Sequence, residues 1–231
     1  MVQPHVTDAQ RRRTMVDEQV ARRGISGRRL LEAMAEVPRE RFVTGRDADL
    51  AYADRPLPIG HGQTISQPYI VAAMIDAAGV SPFDRVLEVG TGSGYGAAVL
   101  GRVAAEVISV ERHAELADAA RARLEGLGYD NVTVAVGDGS TGYAAGSPYD
   151  AVIVTASGPE VPPPLIEQLA EGGRLVMPVQ RDDGSQRLIR ATVTNGSIEE
   201  QDLGAVRFVP LIGAHAWSDG ARAGTTGGGD V

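Results

Sequence analysis

The chain has 231 residues, a formal net charge of −8 and no cysteine. Without cysteine there can be no disulfide, thiolate nucleophile or zinc–thiolate site, and four scattered histidines argue against any dedicated metal site. The acidic balance disfavours sequence-independent nucleic-acid binding, which needs a concentrated basic surface. No apolar stretch is long enough for a membrane helix or a signal peptide, so we expect a cytoplasmic protein with no membrane partner.

Two short helices are predicted at the start of the chain. Thr7 or Asp8 caps the first helix, which stops at Gly24, and a second helix covers about residues 27–37. We expect both to pack across a sheet domain. The first 30 residues hold seven arginines, which we interpret as a solvated helix face in preference to a phosphate-binding patch.

Residues 44–65 have no hydrophobic periodicity and several prolines and glycines, which predicts a long loop. Loops of this length inside a compact domain are usually functional. Ser66 ends the loop, and a helix with Pro68 in its first turn follows. Local pattern favours Ser66 as the helix N-cap over a catalytic role. Both roles are compatible, because a serine at this place exposes its hydroxyl to an anionic ligand.

An apolar strand over residues 85–90 runs into a glycine-rich turn before the next helix begins at about Gly94. Glycines let the chain turn sharply and approach a ligand closely. Unpaired amides at the start of the helix favour a strongly polar group. A nucleotide-like cofactor at Gly90, Gly92 and Gly94 is therefore predicted, with a tight turn that binds nothing as the alternative.

The next strand, residues 107–111, ends in Glu111, 19 positions after Gly92. In βαβ folds an acid at this distance accepts hydrogen bonds from the ribose hydroxyls, which predicts an adenosine cofactor. The pattern leaves open which adenosine cofactor binds, because residues 92–97 also fit the relaxed dinucleotide-binding motif.

Strands and helices alternate from residue 84, which predicts an α/β fold with a doubly wound, mostly parallel sheet. Asp138 follows the third strand and lies at the carboxyl edge of this sheet, where ligands bind. It is interpreted as the acceptor for an adenine amino group or, equally, as an ordinary Asp-Gly turn. The predicted elements are strands 85–90, 107–111, 132–136, 150–155 and 174–179 and helices 94–105, 114–126 and 163–170.

The sheet is predicted to finish in an antiparallel hairpin, because two strand-like runs flank Asn195-Gly196. A parallel sheet ending this way is typical of methyltransferases that use S-adenosylmethionine. We expect three parts in the chain: N-terminal helices and the active-site loop over residues 1–83, a methyltransferase domain over 84–217, and a disordered tail over 218–231.

The chain resembles the protein-L-isoaspartate O-methyltransferase family over about residues 10–217. The first and last of the matching segments are close to family-specific, whereas the second and third occur in many methyltransferases. One departure follows the fourth strand, where Ser157-Gly158 replaces the family's usual alanines. The matching segments are 63–69, 86–95, 137–139, 172–179 and 206–211.

The resemblance implies a role for each matched residue. Ser66 corresponds to the active-site serine, and Val209, Pro210 and Leu211 lie beside the acceptor peptide. The cofactor-binding residues are Gln63, Thr64 and Ile65 in a closing loop, Glu88, Gly90, Gly92 and Ser93 at the methionine moiety, Glu111 at the ribose, and Asp138 and Gly139 at the adenine.

The implied reaction is methyl transfer from S-adenosyl-L-methionine to the α-carboxylate of L-isoaspartyl residues in damaged proteins, leaving S-adenosyl-L-homocysteine. The ester then closes to a succinimide, which initiates repair. An alternative acceptor is a normal aspartyl carboxylate in a dedicated partner peptide, or a small acid. A nicotinamide-dependent dehydrogenase and a non-catalytic binding module are disfavoured by the hairpin and by residues 63–69. We expect a monomer that binds isoaspartyl peptides and no nucleic acid.

Overall fold

A computed structural model describes residues 6–43 and 45–220. Most of the predicted tail, from residue 221 onward, lies outside the described residues. No helix in the described ranges is long and apolar enough to cross a membrane.

The N-terminal helices form where they were predicted. Thr7 and Gln10 make a reciprocal capping box, and Gly24 ends the helical run with a positive φ of 101°. Since a left-handed residue after the last turn favours glycine, both ends of this segment are encoded locally. The bounds are α1 Asp8–Met15, a π-helical turn Val16–Val20, a 3-10 turn Ala21–Arg23, and α2 Arg28–Glu36.

The long loop predicted over residues 44–65 contains regular structure that the sequence pattern did not indicate. The segment contains a small antiparallel hairpin, β1 Leu57–Gly60 and β2 Gln63–Ile65. Leu57 and Ile65 pair across it and are both buried, so two apolar side chains anchor strands too short to show periodicity. Two 3-10 helices precede it, Arg39–Phe42 and Gly45–Leu50.

The main sheet confirms the predicted α/β architecture. Its seven strands lie in the order β5-β4-β3-β6-β7-β8-β9, with parallel pairing up to β7 and antiparallel pairing beyond it. Asn195 and Gly196 both have positive φ, at 51° and 72°, as a tight hairpin turn between β8 and β9 requires. The strands are β3 Arg85–Val89, β4 Glu106–Glu111, β5 Val132–Val136, β6 Tyr149–Val154, β7 Leu169–Gln180, β8 Gln186–Thr194 and β9 Ser197–Val206.

Helices cover both faces of the sheet and enclose two hydrophobic clusters. Met15 and Met34 from the N-terminal helices share one cluster with Leu100, while Leu87 and Leu165 belong to the other. The N-terminal segment is therefore part of the same core as the sheet. The remaining helices are α3 Pro68–Ala78, α4 Tyr95–Val103, α5 Ala114–Gly126 and α6 Pro163–Glu167, the last shorter than predicted because β7 begins at Leu169.

Candidate active site

The glycine-rich turn lies between β3 and α4 at the carboxyl edge of the sheet. Gly90, Gly92 and Gly94 all have positive φ, at 96°, 53° and 88°. The Gly90 N–H donates to the Val110 carbonyl at 2.8 Å, which fixes the turn against the neighbouring strand. A Cβ on Gly90 would lie 2.2 Å from the Thr155 hydroxyl oxygen. Glycine is needed there both for its conformation and for the space.

Glu111, at the end of β4, is bonded directly to this turn. Its Oε2 accepts from the Gly92 N–H at 2.9 Å, and its Oε1 accepts from the His113 N–H at 3.0 Å. The carboxylate is buried but lies at a cavity. A carboxylate has about four lone-pair positions, so two remain for ligand hydroxyls.

Glu88 is a second buried acid, close behind the turn. Its Oε2 accepts from the Ser109 hydroxyl at 2.5 Å, and Ser109 also shares a hydrogen bond with Thr91 at 2.6 Å. Burial raises the pKa of Glu88 to about 8, and the nearby Glu111 carboxylate acts in the same direction. Gly96 provides the room, since a Cβ there would lie 2.2 Å from the Glu88 carboxylate.

Two adjoining cavities open at this edge of the sheet. The Ser66 cavity has a volume of about 750 Å³ and contacts Ser66, Glu88, Ser93 and Phe208. The Glu111 cavity, about 210 Å³, contacts Glu111. Together they can hold an extended ligand with an acceptor group beside it. The residues that line both are Thr64, Gly90, Gly92, Thr155 and Val209.

The loop residues predicted to close over a cofactor are distributed between the cavities. Gln63 lines the Glu111 cavity, Ile65 lines the Ser66 cavity, and Thr64 borders both. All three belong to β2, so the hairpin that sequence patterns missed is what brings them to the site.

Ser66 lines the larger cavity, as its predicted role at the acceptor requires. The prediction that it is the N-cap of α3 is wrong. Gln67 occupies the cap position, and no side chain caps the helix. Pro68 is the first residue of the helix and has no N–H, so no main-chain donor is left unsatisfied at that position. The Ser66 side chain therefore does not stabilise the start of α3. The main-chain carbonyl of Ser66 accepts a hydrogen bond from buried Arg39 at 2.7 Å.

The predicted acceptor segment divides between the cavities. Val209 borders both, whereas Pro210 and Leu211 line only the Glu111 cavity. Ser157 holds the segment, because its N–H donates to the Val209 carbonyl and its carbonyl accepts from the Leu211 N–H, both at 2.8 Å. From the sequence, Gly158 is expected to add backbone freedom at the rim of the site. The structure contradicts this, because the Gly158 N–H donates to the Pro178 carbonyl and the Gly158 carbonyl accepts from the Gln180 N–H.

Asp138 lines neither of these cavities, although its neighbour Gly139 lines the Glu111 cavity. Its carboxylate accepts from the Ser140 N–H and hydroxyl and from the Ala214 N–H, at 2.7–2.9 Å. Burial opposes ionisation, but these hydrogen bonds hold the pKa of Asp138 below its ordinary value. Gly94 also lies outside both linings, and a Cβ added to it would lie 3.2 Å from the Ala120 Cβ.

Some site residues were not predicted from the sequence. Thr155 follows β6 and donates from its hydroxyl to the Gly90 carbonyl at 2.9 Å, and its position at a strand end was a usable signal. His113 could have been found in the same way, because it lies two residues after the end of β4. Arg39 could not, because the charged run Arg39-Glu40-Arg41 has the pattern of solvated surface.

Comparison with known proteins gives a consistent result. The family model "Protein-L-isoaspartate(D-aspartate) O-methyltransferase (PCMT)" matches residues 10–216. A protein-L-isoaspartate O-methyltransferase of Protochlamydia amoebophila is 53% identical over 204 residues, 88% of this chain and 97% of that protein. Protein-L-isoaspartate O-methyltransferase 1 of Rhodopseudomonas palustris is 54% identical over 211 residues, 91% of this chain and 86% of that protein.

Solved structures agree with these relatives. A protein-L-isoaspartate O-methyltransferase structure superposes with a TM-score of 0.81 at 30% identity, covering 88% of this chain and 67% of that chain. A Plasmodium falciparum structure described as the same enzyme, in complex with S-adenosyl-L-homocysteine, gives a TM-score of 0.76 at 27% identity, over 87% of this chain and 98% of that chain.

Proposed function

This chain belongs to the protein-L-isoaspartate(D-aspartate) O-methyltransferase family and has its methyltransferase activity, and we propose that the two adjoining cavities divide the reaction between cofactor and acceptor. The observation that carries the proposal is the Glu111 carboxylate, bound to the Gly92 N–H in a cavity that shares its wall with the Ser66 cavity. An acid and a glycine turn in this relation suit an adenosine ligand.

The chemistry of the lining fits S-adenosyl-L-methionine, which supplies the methyl group when bound. Glu111 would accept from the ribose hydroxyls, and Gln63, Thr64 and Ile65 would cover the ligand. Glu88, with Gly90, Gly92 and Ser93, would hold the cationic methionine end, because a nearby positive charge favours the ionised form of a buried acid. Gly139 would border the adenine, with Asp138 the predicted acceptor for its amino group and Gly94 supporting the turn from outside the cavities.

Ser66 would hydrogen-bond and orient the acceptor carboxylate. That carboxylate has an ordinary pKa of about 3.5, so it is ionised at neutral pH and needs no general base. No histidine lines the Ser66 cavity within the described ranges, which suits a reaction governed by alignment and partial desolvation. Val209, Pro210 and Leu211 would flank the acceptor peptide through their main chain.

The biological setting completes the proposal. The substrates are isoaspartyl residues in damaged proteins and peptides, and the methyl ester closes to a succinimide whose hydrolysis returns part of the material to aspartate. The enzyme acts as a cytoplasmic monomer. We assign residues 1–83 to an N-terminal segment, whose described part packs on a methyltransferase domain over 84–217 and supplies Ser66 to the acceptor side.

Methyl incorporation into paired synthetic peptides tests the acceptor. One peptide carries isoaspartate and the other aspartate at the same position, which moves the carboxylate by one methylene. A displacement of about 1 Å can cost about a hundred-fold in rate, so we expect at least that preference for isoaspartate. Equal rates would favour the alternative acceptor, a normal aspartyl carboxylate. S-adenosyl-L-homocysteine, and not NAD, should raise the melting temperature.

A further inference from the structure

Arg39 is a charged side chain enclosed in the hydrophobic core beside the active site. Its side chain is fully buried, and no carboxylate lies within salt-bridge distance of it in the described part of the chain. Burying an unpaired charge is costly, and replacing such groups by apolar ones is often neutral or stabilising. Stability alone therefore gives a poor account of an arginine at this position.

The guanidinium joins three separate pieces of the chain. Its Nε donates to the Ala51 carbonyl and one Nη donates to the Ser66 carbonyl, each at 2.7 Å. Its Cζ lies 4.6 Å from the centre of the Tyr95 ring, at the first residue of α4. The other Nη has no hydrogen-bond partner. Arg39 thus ties the Ser66 backbone to the helix that follows the glycine turn.

A second arginine, Arg123, makes the same kinds of contact on the cofactor side: a hydrogen bond to a main-chain carbonyl and a contact with an aromatic ring. One Nη of Arg123 donates to the Ser93 carbonyl at 2.6 Å, and its Cζ lies 5.7 Å from the Phe42 ring centre. Phe42 in turn packs edge-on against Tyr95, with ring centres 5.6 Å apart. A continuous series of contacts, from Arg39 through Tyr95 and Phe42 to Arg123, therefore connects the carbonyl of Ser66 with the carbonyl of Ser93.

We propose that Arg39 is a positioning residue for methyl transfer. Through its contact with Tyr95 and the edge-to-face contact of Tyr95 with Phe42, it holds Ser66 at a fixed place relative to the cofactor turn. This inference rests on the proposed role of Ser66. Lysine cannot replace Arg39, because a single ammonium cannot reach both carbonyls and also keep the contact with the Tyr95 ring. Because Glu111 and Arg123 hold the cofactor turn independently, loss of Arg39 affects the acceptor side first.

The test compares Arg39→Lys and Arg39→Met with Arg12→Lys. Arg12 is a matched control: it is a partly buried arginine of the same N-terminal layer, bonded to the Ala35 carbonyl at 3.2 Å and to Glu40 at 2.7 Å, and it lines neither cavity. Kinetics with an isoaspartyl peptide and calorimetry with S-adenosyl-L-homocysteine are measured at equal margins below each melting temperature.

Both Arg39 variants should lose about tenfold or more in kcat/KM for the peptide, with kcat falling more than KM rises, because misalignment acts on the chemical step. The Kd for S-adenosyl-L-homocysteine should stay within about threefold of wild type, and Arg12→Lys should keep wild-type kinetics. Arg39 variants as active as Arg12→Lys would overturn the inference. An inactive wild-type enzyme would instead contradict the acceptor itself.

If the Arg39 variants do not fold, Phe42→Leu tests the same series of contacts. This change removes the ring that supports Tyr95 and leaves Arg39 in place. We expect kcat/KM for the peptide to fall by about threefold to tenfold. The Kd for S-adenosyl-L-homocysteine should change less than this, because Glu111 still accepts from the Gly92 N–H when Arg123 has lost its contact with the Phe42 ring. Unchanged kcat/KM in a folded Phe42→Leu enzyme would overturn the proposal.

Discussion

The two sides of the active site are built in different ways. On the cofactor side, neighbouring strands bind each other directly: the Gly90 N–H meets the Val110 carbonyl, and the Gly92 N–H meets Glu111. On the acceptor side, side chains distant in sequence hold the backbone, as Arg39 holds Ser66 and Gln186 binds Phe208. The first construction is encoded by local pattern, whereas the second depends on the finished tertiary structure.

The largest effect should come from crowding the cofactor side. Gly90→Ala places a methyl group against Thr155 at a residue with positive φ, whereas Gly172→Ala has positive φ and nothing within 4 Å. Gly172→Ala should cost about 1–2 kcal/mol from backbone strain. Gly90→Ala should cost about 1–3 kcal/mol more from overpacking and abolish cofactor binding. Urea denaturation measures the free energy of unfolding, and calorimetry measures the affinity for S-adenosyl-L-homocysteine. Equal losses of stability in the two variants would show that the space at Gly90 is unimportant.

The same contrast explains how much of the molecule could be predicted from its sequence. Strands β3 to β6 and the Asn195-Gly196 hairpin agree with their predictions to within about a residue at most ends, because apolar runs and glycines define them locally. The β1–β2 hairpin was not predicted, because its strands are too short to show an alternating pattern. Only Leu57 and Ile65 are buried apolar residues paired across it, and the sequence does not show that these two residues pair.

The candidate site follows the same division. Glu111 and the glycine turn were located from spacing alone, and the structure brings them into contact. Asp138 was also at a strand end, but whether its carboxylate turns to a ligand or to Ala214 depends on a loop some 76 residues away. Ser66 was given a capping role because serine before a helix usually caps it, and the main chain places Gln67 there instead.

Removing the acid of the cofactor side is the next largest change. Glu111→Ala deletes the acceptor for two main-chain N–H groups and for the proposed ribose hydroxyls. Affinity for S-adenosyl-L-homocysteine should fall by about ten- to a hundred-fold, as the loss of charged hydrogen bonds implies. Glu106→Ala, at the exposed start of the same strand, should bind normally. Calorimetric affinity equal to wild type would rule out the ribose assignment.

On the acceptor side, Ser66 should affect turnover without affecting stability. Since its side chain does not cap α3, Ser66→Ala should leave the melting temperature within about 1 °C, in contrast to the cost of about 1 kcal/mol for a lost cap. kcat/KM for an isoaspartyl peptide should fall by about tenfold or more.

Ser66→Asn separates the two roles further. Asparagine is a good cap but longer than serine, so it should also lose turnover. Full activity in the Asn variant, with a melting temperature above that of the Ala variant, would restore the capping role and remove the catalytic one.

The smallest expected effect, a pH dependence, distinguishes the two sides without removing a contact. Burial raises the pKa of Glu88 to about 8, above its ordinary value of 4.5. The folded protein therefore binds this proton more tightly than the unfolded chain does. The stability that Glu88 contributes is fully present below pH 4.5 and is lost as pH rises through about 8.

A cationic ligand end beside Glu88 favours its ionised form, so cofactor affinity should change in the opposite direction. From pH 6.5 to 8, the Kd for S-adenosyl-L-homocysteine should fall by about threefold, since one pKa unit corresponds to tenfold in binding. The turnover rate at saturating cofactor should stay flat, because the acceptor carboxylate is already ionised throughout this range. Glu88→Gln should make the affinity independent of pH, while Glu106→Gln should keep the wild-type slope. If calorimetry gives the same slope in Glu88→Gln as in wild type, another group titrates on the cofactor side, and Glu88 does not hold the cationic end.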